Sequence, residues 1–343
     1  MSSADAVAAV LWIGATMYAI FGGADFGAGF WSLLARGERG RRPRDLIDWA
    51  IGPVWEANHV WLIFILVVLW TGFGPAFEAI FSTLFIPLSL AALGIVLRGA
   101  GFAFHHNARS ARGRTVATAL FGIASLLTPF FMGTVVGAIA GGRVPTGNST
   151  GDEVTSWLNL LSLVIGALFV ATSAYLASVF LVSDARRAGA RDLEQYFVNR
   201  ALISAVVTGA LAVVGLVVLH RDARYLFDGL TGDGLPLVLV SAVCGIAVLV
   251  LLRRGAQRGA RILAAGAVAG VIWAWGVAQH PYLLPQTLTI DDAASPGVVL
   301  SSVLIVFGIA VVLVLPSIGL LFTLAQRNLV EETAAPPAHL GAD

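Results

Sequence analysis

The sequence has one cysteine, no lysine and few charges of either sign, with only 12% of its 343 residues charged. The lone Cys244, set in an apolar run, excludes an intrachain disulfide and any multi-thiolate metal or iron–sulfur site built by this chain alone. All 21 basic residues are arginine and the net charge is +1, in short clusters that offer nucleic acid no continuous basic surface. A soluble domain carries about a quarter charged residues. Apolar residues fill the difference: they make up 58% of the chain, and the mean hydropathy is +0.86. No soluble core of this size buries that much apolar surface, so a lipid bilayer is the solvent for most of it. The N-terminal MSSADAVAAVLW lacks the basic region of a cleaved leader, and its apolar run reads as a retained helix.

A helix needs about 20 mostly apolar residues to cross a bilayer. The pattern predicts spans over 6–34, 49–73, 78–104, 115–141, 155–182, 196–220, 234–252, 261–279 and 298–324. This is an all-α integral membrane protein of about nine transmembrane helices, with residues 1–324 as one polytopic domain. The sequence permits two four-helix bundles plus one additional helix. The 325–343 tail, with Pro336-Pro337, reads as disordered. Alternate loops carry Arg36, Arg39, Arg41, Arg42 and Arg44; Arg109, Arg112 and Arg114; Arg186, Arg187 and Arg191; and Arg253, Arg254, Arg258 and Arg261. The intervening loops hold Arg143, Arg221 and Arg224. By the positive-inside rule the N-terminus is outside and the tail cytoplasmic.

Charge inside a bilayer costs about 2.5–3.5 kcal/mol per group on insertion scales, so each such residue is a candidate for function. Asp25 lies in the first span about nine residues before its cytoplasmic end, roughly 13 Å deep at the helical rise. Glu56, near the start of the second span, and Arg98, near the end of the third, fall at similar depth on the same side. Two carboxyls beside one arginine can share an exchangeable proton, which suits a proton path from the cytoplasm. The bland alternative is an arginine snorkelling to the interface with the acids paired locally. His59 follows Glu56 by one helical turn. It has no second histidine four residues away and no thiolate, so its case as a metal or haem ligand is weak. Proton carrier and hydrogen-bonded core residue stay open. Gly133, Gly137 and Gly141 allow another helix close, from this chain or from a partner subunit. Pro129 and Pro316 fall within spans, where proline bends a helix.

At GADFGAGF (23–30), GPVWEANHVWLI (52–63), LRGAGFAF (97–104), PFFMGTVVGAIAGGRVP (129–145) and HPYLLPQTLTIDDAAS (280–295) the chain resembles subunit II of the cytochrome bd-type ubiquinol or menaquinol oxidases. The similarity runs along nearly the whole chain in order. It implies a bacterial inner-membrane heterodimer whose subunit I carries haem b, haem d and the quinol-oxidising loop, with quinol and O2 as substrates. A small accessory subunit occurs in such complexes. Subunit II then supplies no haem ligand and no metal ligand. The resemblance places Asp25 and Glu56 in a proton pathway, with Arg98 as the arginine of the third span and Asn58 and His59 as neighbours. It also allows a structural quinone near Trp55.

Three departures mark a divergent branch, similar to the cyanide-insensitive type. Glu56 stands where many members have Asp, and His59 where Glu is common. Ala103 and His105 replace an acid and an arginine. The expected function is therefore a subunit of a quinol oxidase that aids assembly and delivers protons from the cytoplasm. The rivals are a purely structural scaffold and a secondary transporter or channel.

Overall fold

The computed structural model describes residues 2–35, 37–51, 55–107, 111–148, 151–255 and 259–326. Within these, the side chains of residues 51, 55–58, 102, 105–107, 111–112, 114–115, 314–315, 318–319 and 321–326 fall outside the description.

Chain entry is fixed by a capping box: the Ser2 hydroxyl accepts from the Asp5 amide, and the Asp5 carboxylate accepts from the Ser2 amide at 2.9 Å. Helix α1 (Ser3–Met17) follows, then a single π turn (Tyr18–Gly22), then α2 (Gly23–Leu34). Helix α3 (Arg41–Ile51) comes next, preceded by Gly37 at φ +68°. It is a short amphipathic helix whose Leu46 and Ile47 are fully buried, inside a segment expected to be an arginine-rich loop. Helix α4 (Trp55–Gly72) and α5 (Gly74–Thr83) meet at 119° about the buried Phe73. Pro75, in the first turn of α5, has no N–H to extend α4 and a φ already helical, so the break falls there. Helices α6 (Phe85–Asn107) and α7 (Ala111–Ala140) complete the first half of the chain.

Asn159 caps α8 (Leu160–Arg187) by accepting from the Ser162 amide at 3.0 Å. Helix α9 (Arg191–Asp222), the short α10 (Arg224–Thr231), α11 (Leu235–Arg253) and α12 (Ala260–Gln279) follow. A two-stranded antiparallel hairpin, β1 (Tyr282–Leu284) and β2 (Leu288–Thr289), leads through α13 (Ile290–Ala293) to α14 (Gly297–Gln326).

Among the described residues helix occupies most of each stretch expected to cross the membrane. Among the described residues six helices are long and apolar enough to cross, and up to seven if the bent α4–α5 pair is one span. Two shorter apolar helices, Phe85–Gly101 and Gly297–Leu313, stand beside them. The expected span over 78–104 in fact begins in α5, and the one over 49–73 begins in α3. The first misplacement arises because hydropathy runs smoothly through the break between α4 and α5 that backbone geometry makes at Phe73.

Packing runs continuously through the molecule. Helix α2 lies against α7 and α8, α8 against α9 and α12, and α1 against α4, α12 and α14. Lipid tails are as apolar as the helices, so close van der Waals fit must hold these contacts. A Cβ on Gly27 would lie 1.8 Å from the Ser173 carbonyl oxygen of α8, and one on Gly29 would lie 2.1 Å from Ser125 Oγ of α7. On α7, a Cβ on Gly133 would sit 2.7 Å from Gly166 Cα, and one on Gly137 would sit 2.5 Å from Ser162 Cα. The four-residue glycine repeat therefore takes up α8 of the same chain. Outward faces stay apolar, with Ile203, Val243 and Ile305 more than 60% exposed, as lipid or a partner subunit requires.

Gly27→Ala should abolish recovery of a monodisperse complex. Gly209→Ala, on α9 with open space around it, should be tolerated and gain at most about 1 kcal/mol from helix propensity. Size-exclusion profiles and thermal melts of the purified complex check both; a normal Gly27→Ala melt would refute the packing role.

Candidate functional site

The site is assembled from one helix of the first span and two helices that flank it. Asp25 sits in the first turn of α2 and is 5% exposed; Arg98 on α6 is 3% exposed. The guanidinium meets the carboxylate with both terminal nitrogens: Nη1 donates to Oδ2 at 2.5 Å and Nη2 to Oδ1 at 2.5 Å. Nη2 also donates to the Asp25 carbonyl oxygen at 3.1 Å. On the opposite edge Nε donates to Ser125 Oγ of α7 at 3.0 Å, and that hydroxyl donates to the Phe121 carbonyl at 2.7 Å. The rings of Phe26 and Phe121 flank the guanidinium, 4.8 and 4.7 Å from its central carbon.

Local sequence explains the convergence. Gly94 and Gly101 lie one turn on either side of Arg98. A Cβ on them would fall 2.3 Å from Thr128 Oγ1 and 2.9 Å from the Phe121 amide. Small residues above and below Arg98 let α6 touch α7, and the long side chain then passes to α2. Gly29, one turn after Asp25, does the same for α2 against α7. Gly29 of GADFGAGF and Gly101 of LRGAGF thus serve the approach that the ion pair needs.

Of the residues singled out from sequence, the structure joins Asp25 to Arg98. His59 is half-buried on α4, close enough to interact electrostatically with both. The side chains of Trp55, Glu56 and Asn58 lie outside the described residues, as do those of His105 and His106. Ala103 is exposed. The sequence reading missed Ser125, Phe26, Phe121 and Tyr18. Nothing in the sequence separates Ser125 from another hydroxyl of its span, Thr128 one turn on. A second buried network also went unread: Asp184 of α8 takes Arg261 of α12 at 2.6 Å and also pairs with Arg187, tying two helices at an arginine-rich end.

Among the described residues no group of three or more His, Cys, Asp or Glu side chains could hold a metal ion. His220 is engaged by Arg224 at 2.7 Å and by the Phe227 ring, and His280 faces Asp5 at 3.5 Å.

Fold and site together define a multi-spanning membrane protein with a charge-compensated acid–base pair in its interior. The chain belongs to the cytochrome bd terminal oxidase subunit II family, whose model matches residues 4–325. It is accordingly a subunit of a respiratory oxidoreductase complex that carries haem, and the designation implies a subunit I partner. A Bacillus subtilis protein provisionally named a cytochrome bd menaquinol oxidase subunit II is 22% identical over 340 residues, covering 95% of this chain and 97% of the relative. A Bacillus subtilis cytochrome bd ubiquinol oxidase subunit 2 is 25% identical over 251 residues, covering 72% of this chain and 70% of that one. The bd oxidase structure from Geobacillus thermodenitrificans superposes with a TM-score of 0.76 at 26% identity, covering 96% of this chain and all of the other.

Removing one partner of a buried pair leaves an uncompensated charge, at a cost of about 3–5 kcal/mol. Asp25→Leu and Arg98→Met should each destabilise the complex by that order. The double variant should recover at least half of the summed loss, as read by thermal melts in a double-mutant cycle. Strictly additive losses would show that the two side chains act independently.

Proposed function

We propose that the chain delivers protons from the cytoplasmic side to the oxygen-reducing centre of a quinol oxidase, through Asp25 and Glu56 under the control of Arg98. The reading adds that the chain crosses the bacterial inner membrane nine times as two bundles joined along α7 and α8, with the N-terminus outside. The arginine-rich loops and the C-terminal tail then lie in the cytoplasm. Its partner is subunit I in a heterodimer, with or without a small accessory subunit. The reductant is a quinol of either kind for which the relatives are named, and the oxidant is O2.

The observation that carries this reading is the buried, bidentate Asp25–Arg98 pair. A bilayer-embedded carboxylate is costly, and structure alone would be served as well by an apolar pair of similar volume. Retaining a carboxylate here, with a second acid two helices away in sequence and an imidazole within electrostatic reach, suits proton handling. Arg98 keeps a charge beside Asp25 whether or not a proton is present. When Asp25 itself takes up a proton the guanidinium is left uncompensated beside it, which favours that proton's onward release.

The haems of the oxidase, assigned in this reading to subunit I, supply the oxygen chemistry; this chain's part is confined to binding and passing protons. His59 and Asn58 provide hydrogen-bonding neighbours for Glu56, and Trp55 is the residue we assign to a structural quinone.

Glu56→Gln leaves the Asp25–Arg98 pair intact and so separates proton delivery from assembly. In the purified complex it should lower quinol-driven O2 uptake by about tenfold or more, within the range for loss of a general acid–base group. The haem spectrum should remain at wild-type amplitude. Uptake and proton release at wild-type values would remove Glu56 from the path and leave the chain as a scaffold.

A further inference from the structure

The π turn that interrupts the first span presents a group that the Asp25–Arg98 pair does not use. Such turns are rare and concentrate at functional sites. Tyr18 opens this one. Its hydroxyl is buried and has no hydrogen-bond partner among the described residues. A buried phenol usually finds a partner, because an unmet hydroxyl costs about 1–3 kcal/mol. The ring does not lean back along α1. Its far edge lies over Gly22, where an added Cβ would meet Cε2 at 3.0 Å and Cζ at 3.5 Å. It also meets Phe26 edge-on, with centroids 6.4 Å apart. Phe26 in turn faces Arg98. The hydroxyl is thereby carried along the chain toward the level of Asp25 and lies within electrostatic reach of both Asp25 and Arg98. Gly22 leaves the space that this direction requires.

We infer that Tyr18 is a proton-relay residue on the inner side of Asp25, an inference that rests on the proton-delivery reading above. Tyr18 precedes Asp25 by seven residues, so its backbone lies roughly 10 Å farther from the arginine-rich end of the span at the helical rise. A proton that has reached Asp25 from that end meets this hydroxyl next. A phenol both donates and accepts. In the relay the Tyr18 oxygen takes a proton from the Asp25 carboxyl through one water, while its own O–H bond breaks toward a second water on the far side. One O–H bond forms and one breaks. The phenol is neutral before and after, so no phenolate is formed in the membrane.

Tyr18→Phe in the assembled oxidase tests this. The removed hydroxyl has no partner among the described residues, so a structural role predicts unchanged or slightly raised thermal stability and unchanged turnover. The relay predicts a fall of about tenfold in quinol-driven O2 uptake. It also predicts an altered pH profile and a larger solvent deuterium effect, with haem content and melting temperature unchanged. Gly22→Ala keeps the hydroxyl but crowds the ring, and should give a smaller fall of the same pH-dependent kind. It serves as the test if Tyr18→Phe fails to assemble. Wild-type turnover and pH profile in these variants, with Glu56→Gln impaired, would overturn the relay and leave proton delivery standing. Wild-type behaviour in all of them, Glu56→Gln included, would overturn both.

Discussion

A guanidinium held inside a membrane must find an acceptor for nearly every N–H it carries, and in this protein that requirement organises three helices. Arg98 gives its fork to the Asp25 carboxylate, a further bond to the Asp25 carbonyl and its inner nitrogen to Ser125. Those acceptors belong to α2 and α7, so α6 and α2 must both lie against α7 at backbone distance. Only residues without bulk permit that, which is why Gly29, Gly94 and Gly101 stand beside the charged positions rather than scattered through the helices. The aromatic faces of Phe26 and Phe121 close the remaining sides and keep lipid away from the pair.

The same economy explains how the chain holds together without a hydrophobic drive between helices. Glycine and serine contacts between α7 and α8 and between α2 and α8 bring backbones near enough for dispersion to accumulate. The second buried ion network, Asp184 with Arg187 and Arg261, fastens α8 to α12 in the same manner. The polar interior is thus small and confined to places where several helices meet. Long outward faces stay apolar for lipid and for the partner subunit.

Asp25 and Arg98 were legible as partners before any fold was known, because helix directions placed them at one depth on one side. Ser125, Phe26, Phe121 and Tyr18 were not, since a hydroxyl or ring inside an apolar run resembles ordinary core until its neighbours are known. The glycine repeat at 133, 137 and 141 announced a close contact without naming the partner; α8 could have been a helix of another subunit. Hydropathy also hid α3 and the break between α4 and α5. An amphipathic arginine-rich stretch looks like a loop, and Gly74-Pro75 lies within continuous apolar sequence.

Composition alone settled that this chain lives in lipid, that its spans are helical and that its buried charges are few, because insertion energy depends on residue type and run length. The motifs settled its family, because they recur in order along nearly the whole chain. Only the tertiary structure decided which helices touch, where a run of apolar residues turns, and that one arginine closes on one carboxylate with a serine at its back. Those outcomes depend on distances of a few tenths of an ångström between backbones, and the order of residues along one chain does not state them.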